Sequence, residues 1–423
     1  MDSNSKKKIN INEISIVGGG ISGCLTALSA EKKNYKNIKV YEITKKIGGV
    51  LSDLNFNKEP FFNGCQYLDA DSPWFKSLIK ENLFKKSDFY IEDVKYGCFT
   101  DFEKKKAYTT KYPEPIFFEK YNNFKLKRKK VKNLQDRLEL YPKKISKNLI
   151  SWVKNFGIEP KEISAECAKN GLMLSRIYLH QHSREILKYK KENKLADALY
   201  GLPKNMLGLK NVKTAVPKKG YNYFFYKLKE ILEKKKLKIH FSSSIKANYF
   251  KNSFIINNFD QYLDTKKIVW TANPTNLIKS YNNKKLDSKY IFVSVICTNL
   301  NTKIENNFYI NVYSKKLKIF RIYCYNLDNK PKLTIEGFRG LEKEVDKIHN
   351  KINDIFKRFG INLNLNKKQK YYKVIQKKFF IVTLKDKNYL EDFYKNSSKT
   401  NLIPGAWDSF FREQRISKIS KYL

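Results

Sequence analysis

Paired cysteines, long apolar runs and several common catalytic motifs are missing from this sequence, and each absence excludes a class of protein. The 423 residues include 6 cysteines and no CxxC pair, which is too few for a disulfide framework and favours a reducing compartment. No stretch reaches the roughly 18–20 apolar residues that a membrane-spanning helix needs. Neither a Walker phosphate loop nor the GxSxG turn of serine hydrolases is present. We therefore expect a cytoplasmic protein without a transmembrane segment, and leave a peripheral membrane contact open.

Acidic residues are also scarce relative to basic ones. The sequence has 85 Lys and Arg against 41 Asp and Glu, a formal charge of +44. Such a charge suggests nucleic-acid binding, because Lys and Arg neutralise phosphates. However, only nine of the 85 are Arg, and the lysines are scattered along the chain instead of forming a clustered stripe. We therefore expect no nucleic-acid partner, and keep a basic nucleic-acid-binding protein with a vestigial nucleotide fold as an alternative.

The composition and the hydrophobic pattern indicate a folded chain with two kinds of domain. Hydrophobic residues make up 41% and aromatic residues 14%, which excludes a wholly disordered chain. Residues 290–338 alternate as antiparallel strands do. Apolar spacing predicts an amphipathic helix over Leu341–Phe359, with His349 exposed beside it. A hairpin is predicted over residues 245–262, with its turn at Asn257–Asn258.

The strongest motif is a glycine-rich turn near the start of the chain. Gly18, Gly20 and Gly23 form a GxGxxG pattern between a predicted strand, Glu13–Val17, and a helix that opens at Ile21 and Ser22. In such turns the first glycine permits the tight bend, the second lets the backbone approach a pyrophosphate, and the third allows close helix–strand packing. The free N–H groups of the helix N-terminus then face the anion. This context predicts dinucleotide binding.

An acidic residue and a second glycine pair follow at informative distances. Glu42 ends the next predicted strand nineteen residues after Gly23, where a carboxylate accepts hydrogen bonds from ribose hydroxyls. Gly48 and Gly49 come six residues later and would let the backbone pass close to a second part of a long cofactor. Together these residues resemble the FAD-dependent amine oxidase superfamily, which includes monoamine oxidases, protoporphyrinogen oxidase and UDP-galactopyranose mutases. Val50 stands where that family usually has Arg.

Later segments extend the resemblance over the FAD-binding parts of the chain. The resemblance implies that the backbone at Ile245 meets the adenine. It also implies that Gly405 precedes a helix aimed at the flavin. The family often has Asp or Arg immediately after that glycine, whereas this chain has Ala406, followed by Trp407 and Asp408. Arg412, further into the helix, would add positive charge beside the flavin, with surface solvation as the alternative.

The residues on the substrate side are less clear. Gly64, Cys65 and Gln66 are candidates for the catalytic cavity, because the resemblance places this loop across the face of the flavin. Sugar-nucleotide mutases carry Gly-Pro-His there, so Gly-Cys-Gln argues against a mutase. Arg321 and Tyr325 lie on a predicted strand that, in the family, roofs the substrate. Arg321 is interpreted either as an anion clamp or as a structural residue.

Metal binding is not expected. His180 and His182 are two residues apart, which puts them on opposite sides of a helix, and no Cys or second His pair accompanies them.

These observations and the resemblance together imply an α/β protein with a Rossmann-like FAD-binding domain and a discontinuous α+β substrate domain that contains an antiparallel sheet. The predicted FAD-binding domain takes residues 1–70, 205–285 and 396–423, and the substrate domain takes 71–204 and 286–395. The predicted function is FAD-dependent oxidation of a small molecule, for which an anionic substrate is a candidate. The alternative enzyme is a redox-neutral, flavin-dependent sugar-nucleotide mutase. The oligomeric state, electron acceptor and catalytic residues stay open.

Overall fold

The structure is a computed structural model that describes residues 13–93, 95–101, 131–141, 143–165, 191–192, 213–263, 265–283, 285–287, 289–407 and 412–423. Its strands are β1 (Glu13–Val17), β2 (Asn37–Tyr41), β3 (Leu54–Phe56), β4 (Glu59–Phe61), β5 (Leu68–Asp69), β6 (Phe89–Asp93), β7 (Lys95–Thr100), β8 (Lys213–Pro217), β9 (Lys238–His240), β10 (Ile245–Phe250), β11 (Ser253–Asn258), β12 (Gln261–Leu263), β13 (Lys267–Trp270), β14 (Lys289–Asn299), β15 (Phe308–Tyr313), β16 (Ile319–Leu327), β17 (Lys330–Phe338), β18 (Tyr372–Ile381) and β19 (Leu402–Pro404). Its helices are α1 (Ile21–Lys32), α2 (Pro73–Lys80), α3 (Leu134–Leu138), α4 (Lys143–Lys154), α5 (Gly220–Lys234), α6 (Thr275–Asn282), α7 (Ile348–Arg358), α8 (Leu384–Ser397) and α9 (Arg412–Tyr422).

The chain divides into two compact units, each built from separated segments. The first unit contains Met1–Leu51, Tyr223–Leu286 and Asn388–Leu423. The second unit contains Ser52–Asn222 and Asp287–Lys387. Among the described helices, none is long and apolar enough to cross a membrane.

The first unit is organised around a parallel sheet with the strand order β19-β13-β1-β2-β9. Its central strand carries Ile14, Ile16 and Val17, all buried, as expected of a parallel strand covered on both faces. The register pairs Val17 with both Tyr41 and Trp270. The carboxyl ends of three neighbouring strands therefore meet at one edge, where open α/β sheets bind their ligands. The predicted Rossmann-like α/β fold is confirmed.

A small antiparallel sheet, β10-β11-β12, corrects the predicted hairpin turn in the same unit. Asn257 and Asn258 are strand residues that pair with Lys246 and Ile245, so the prediction of a turn there was wrong. The chain reverses instead at Lys251–Asn252 and at Phe259, which adopt positive φ values. The cross-strand pairing therefore prevailed over the local turn preference of two consecutive asparagines.

The second unit contains the predicted antiparallel sheet, in the order β18-β14-β17-β16-β15-β7. All neighbours in it are antiparallel except β15 and β7, which run parallel. Alternate residues of each strand point to opposite faces. On one face Ile310, Ile322 and Ile335 join an apolar cluster with helix α7. The other face carries Asn311, Arg321 and Glu336, whose cross-strand pairing puts them side by side.

Helix α7 differs from its prediction in two respects. It begins at Ile348, and the predicted first turns are 3₁₀ segments, Leu341–Lys343 and Val345–Lys347. His349 is 5% exposed, so the expectation of an exposed histidine was wrong. His349 lies three residues before Ile352 and seven before Phe356, and this spacing places it on the buried stripe of the helix.

Candidate cofactor and substrate sites

The first glycine turn joins β1 to α1 in the shape that the motif predicts. Gly18 has a φ of +107°, which only glycine adopts without strain. A Cβ on Gly23 would collide with the carbonyl oxygen of Gly18, so a glycine is needed for α1 to pack against the turn. A Cβ on Gly20 would meet nothing within 4 Å. The backbone at Gly20 therefore borders open space beside the N-terminal N–H groups of α1.

The second glycine pair lies directly against the first turn. Gly48 donates its N–H to the carbonyl of Gly19 at 2.9 Å and forms an isolated bridge with Gly20. A Cβ on Gly49 would come 3.5 Å from the Cα of Gly20. Val50, next in the chain, is 64% exposed. Two glycine turns thus share one edge of the parallel sheet, and no bulky side chain separates them.

Glu42 joins the first glycine turn to the loop that follows β2. It follows β2 directly, and its Oε2 accepts the Gly19 N–H at 2.7 Å. Its Oε1 accepts from the N–H and the hydroxyl of Thr44 at 2.9 and 2.8 Å. An ionised carboxylate has about four acceptor positions, so these three bonds leave capacity for a ribose hydroxyl. The carboxylate is therefore fixed in place before any ligand binds.

The segment that leads to Ile245 is fastened to the same edge. Ser243 donates its N–H to the carbonyl of Glu42 at 2.9 Å, and Ser242 donates to Thr44 at 3.1 Å. Ile245 opens β10 two residues later. The sequence pattern did not lead us to the two serines or to Thr44. The polar Ser-Ser-Ser run after a short strand could have indicated the two serines. Ile245 is therefore brought to the same edge of the sheet as Glu42.

The C-terminal segment is joined to the loop after β13 through Trp407. Its indole Nε1 donates to the carbonyl of Ala272 at 2.8 Å, and its ring stacks on Tyr394 with centroids 6.0 Å apart. A Cβ on Gly405 would crowd both this indole and the carbonyl of Trp270. Trp407 is thus a buried connector at the sheet edge. Arg412 opens α9, and its side chain lies outside the part of the chain that is described.

Replacing Trp407 with Phe tests this connection. A six-membered ring would still stack on Tyr394, but the half-buried carbonyl of Ala272 would lose its donor. A hydrogen bond of this kind contributes about 0.5–1.5 kcal/mol, so we expect the free energy of unfolding to fall by about that amount. Urea denaturation of the variant measures it. Tyr394→Phe is the control, since it keeps the stacked ring, and an equal loss in both variants would contradict the assigned role of the indole N–H.

In the second unit, the loop that carries Gly64, Cys65 and Gln66 is bonded to the face of the six-stranded sheet that carries Arg321 and Glu336. The N–H of Phe62 donates to the hydroxyl of Tyr325 at 2.8 Å, and Thr334 donates to the carbonyl of Phe62 at 3.0 Å. The rings of Phe62 and Tyr325 stack with centroids 4.2 Å apart. Tyr325 is thus a buried support for the loop.

A buried ion cluster lies on this face, and Glu336 is its centre. Arg321 donates from Nε to Glu336 Oε2 at 2.5 Å, and Lys378 Nζ lies 2.6 Å from Oε1. The N–H of Cys65 also donates to Oε2, at 3.1 Å. Burial alone raises the pKa of the Glu336 carboxyl, but Arg321 and Lys378 outweigh it and lower the pKa to about 2. Glu336 is therefore a fixed anion that orients two cations.

Two β-bulges accompany the cluster. The register between β14 and β18 pairs Ile291 with Phe379 and then Phe292 with Lys377, so Lys378 is the extra residue. A second irregularity, between β16 and β17, precedes Arg321. Bulges re-aim side chains and are common beside active sites. They explain how Lys378 reaches the same carboxylate as Arg321.

The predicted substrate-side residues thus fall into one neighbourhood. Gly64 has a φ of +108°, and a Cβ there would collide with Lys378 and Glu336. The carbonyl of Gln66 lies 3.5 Å from the hydroxyl of Tyr323, which donates to it. Sequence reasoning missed Glu336 and Lys378. Glu336, the only charged residue in the Leu333–Phe338 run, was a usable signal, whereas one lysine among so many was not. His180 and His182 lie outside the described residues.

Comparison with known proteins agrees with the architecture. Residues 16–81 match the model of the NAD(P)-binding Rossmann-like domain. No curated protein matches this chain significantly by sequence. A reduced UDP-galactopyranose mutase is similar in structure, with a TM-score of 0.64 and 13% identity, over 96% of this chain and 94% of that chain.

Two further solved structures share the fold. Putrescine oxidase bound to putrescine has a TM-score of 0.58 at 11% identity, with 97% of both chains covered. A CLA-producing fatty acid isomerase from P. acnes has a TM-score of 0.55 at 12% identity, again over 97% of both chains. At such identities the likeness shows the fold alone. The chain therefore shares a Rossmann-like fold with these solved structures.

Proposed function

We propose that this protein is an FAD-dependent oxidoreductase that acts on a small molecule. The observation that carries the proposal is the pair of hydrogen-bonded glycine turns, Gly18–Gly23 and Gly48–Gly49, at one edge of the parallel sheet. A single turn serves any dinucleotide, including NAD(P). A second turn held against the first by a backbone hydrogen bond favours FAD, because it lets the chain follow a longer cofactor.

The residues of the first unit fit FAD. The open space at Gly20 suits the pyrophosphate, which the N–H groups of Ile21 and Ser22 at the start of α1 would bind. Glu42 keeps acceptor capacity for the adenosine ribose, and the backbone at Ile245 is offered to the adenine. Gly405 and Trp407 shape the C-terminal segment that the resemblance assigns to the flavin. The chemistry that bound FAD would supply is the acceptance of a hydride, at the flavin N5, from a carbon of the substrate.

The protein's own residues position the substrate and stabilise charge. Preorganised N–H donors and fixed charges stabilise an anionic group without reorganisation, which is the main electrostatic tool of enzymes. In the second unit, Glu336 holds Arg321 and Lys378 in fixed orientations, and Gly64 and Cys65 line the same face. No histidine joins this group in the described residues, so proton transfer at this face would fall to lysine or tyrosine.

Anaerobic reduction tests the proposed reaction. FAD-loaded protein is incubated without oxygen with panels of amines, carboxylic acids and sugar nucleotides, and the flavin absorbance is followed. A compound that bleaches the flavin stoichiometrically supports an oxidoreductase. A compound that is rearranged while the flavin undergoes no net change of redox state would replace the proposal with a mutase-like reaction.

A further inference from the structure

The ion cluster around Glu336 carries unbalanced charge. Arg321 and Lys378 are two cations that share a single carboxylate, that of Glu336. The side chain of Arg321 is 15% exposed, that of Lys378 is 9% exposed and that of Glu336 is 1% exposed. Among the residues that the structure describes, one positive charge is therefore left over in a buried place. Buried charges are costly unless they are paired. The cluster is suited to one further negative charge.

Arg321 presents a donor edge that the cluster does not use. Its contacts to Glu336 come from Nε and Nη2. Among the described residues, Nη1 has no such contact. A carboxylate that holds one edge of a guanidinium fixes the orientation of the group. The remaining N–H groups can then pair with the two oxygens of a second carboxylate.

Asn311 supplies a second, independent indication of a ligand. It pairs directly with Arg321 across β15 and β16, which puts the two side chains on the same face. Asn311 is 1% exposed, and neither its Oδ1 nor its Nδ2 has a hydrogen-bond partner in the part of the chain that the structure describes. Buried amides are normally satisfied, so an amide that is left without partners next to an arginine requires an explanation.

We infer that Arg321 and Asn311 bind a carboxylate of the substrate. One excess positive charge matches a monoanion, and the arginine fork together with an amide N–H matches its planar pair of oxygens. The inference rests on the proposed function only in calling the ligand a substrate.

Calorimetric titration of the full chain, with FAD added in excess, tests the site without depending on flavin colour. The probes are benzoate, its uncharged isostere benzamide, and phenyl phosphate. We expect benzoate to bind at least about tenfold more tightly than benzamide, as a lost charge-assisted hydrogen bond implies. Equal binding of benzoate and benzamide, or tighter binding of phenyl phosphate than of benzoate, would overturn the inference.

Two variants and a control locate the binding. Arg321→Gln leaves the Lys378–Glu336 pair intact and should weaken benzoate binding by about tenfold or more. Asn311→Leu should also weaken it, yet the free protein should be equally or more heat-stable, because an unpartnered amide is replaced by an apolar group. Ile310→Val, on the opposite face of the same strand, should leave benzoate binding unchanged. Unchanged benzoate binding in Asn311→Leu would contradict the site.

The two proposals fail in different ways. A protein that takes up no FAD but prefers benzoate over benzamide would overturn the proposed function and keep the carboxylate site. A protein that binds FAD but does not discriminate between the two probes would overturn the carboxylate site and keep the flavoprotein.

Discussion

Replacing Gly20 with Val is expected to abolish FAD retention while the protein still folds. Gly20 has φ −71° and ψ 176°, a conformation open to any residue, and a Cβ there meets no protein atom within 4 Å. The added side chain would occupy the space assigned to the pyrophosphate and would block the N–H groups behind it. Loss of two charge-assisted hydrogen bonds implies an affinity at least about 100-fold lower. FAD titration followed by gel filtration measures it.

Gly157→Val is the matched control for that experiment. A Cβ at Gly157 also meets nothing within 4 Å, but its φ is +73°. Valine in the left-handed region costs roughly 1–2 kcal/mol. The control should therefore lose stability and keep FAD, whereas Gly20→Val should keep stability and lose FAD. If Gly20→Val retains FAD, the pyrophosphate does not lie at this turn.

Removing the charge of Glu336 is expected to destabilise the protein strongly. Glu336→Gln leaves Arg321 and Lys378 buried without their carboxylate, and breaking a buried ion pair in this way costs about 3–5 kcal/mol. Glu344→Gln is the control, because Glu344 also contacts two lysines, Lys318 and Lys351, at 2.6 Å but is 29% exposed. An exposed pair contributes at most about 1 kcal/mol. Chemical denaturation distinguishes the two, and similar losses would contradict a stabilising role for the buried cluster.

The effect of Glu336 depends on pH in a definite direction. Its pKa is lowered from 4.5 to about 2, so the folded state favours the ionised carboxylate. The stabilisation is complete above pH 4.5, where the unfolded chain is also ionised, and is lost as the pH falls toward 2. The stability difference between the native protein and Glu336→Gln should therefore shrink below pH 4.5. A difference that stays constant down to the lowest pH at which both proteins fold would contradict the assigned pKa.

The first unit was largely predictable because its signals are local. The glycine turn, its flanking strand and helix, and Glu42 lie within thirty residues of one another, and each has a direct physical reason for its residue type. The hydrogen bond between Gly48 and Gly19 was not predictable, but the glycine pair indicated a close approach of backbone.

The second unit was less predictable because its cluster is assembled from distant segments. Cys65, Arg321 and Lys378 meet at Glu336 only after several strands have paired, and the bulge that re-aims Lys378 leaves no mark in the sequence. Arg321 was interpreted as either a clamp or a structural residue. Its bond to Glu336 gives it a structural role. Asn311 beside it, whose amide has no partner among the described residues, supports the role of a clamp.

The central claim is that this chain binds FAD, and an absorbance spectrum of the purified protein tests it most directly. The purified protein should show flavin absorption bands and, after incubation with FAD and removal of the excess, one FAD per chain. A colourless protein that takes up no added FAD would contradict it.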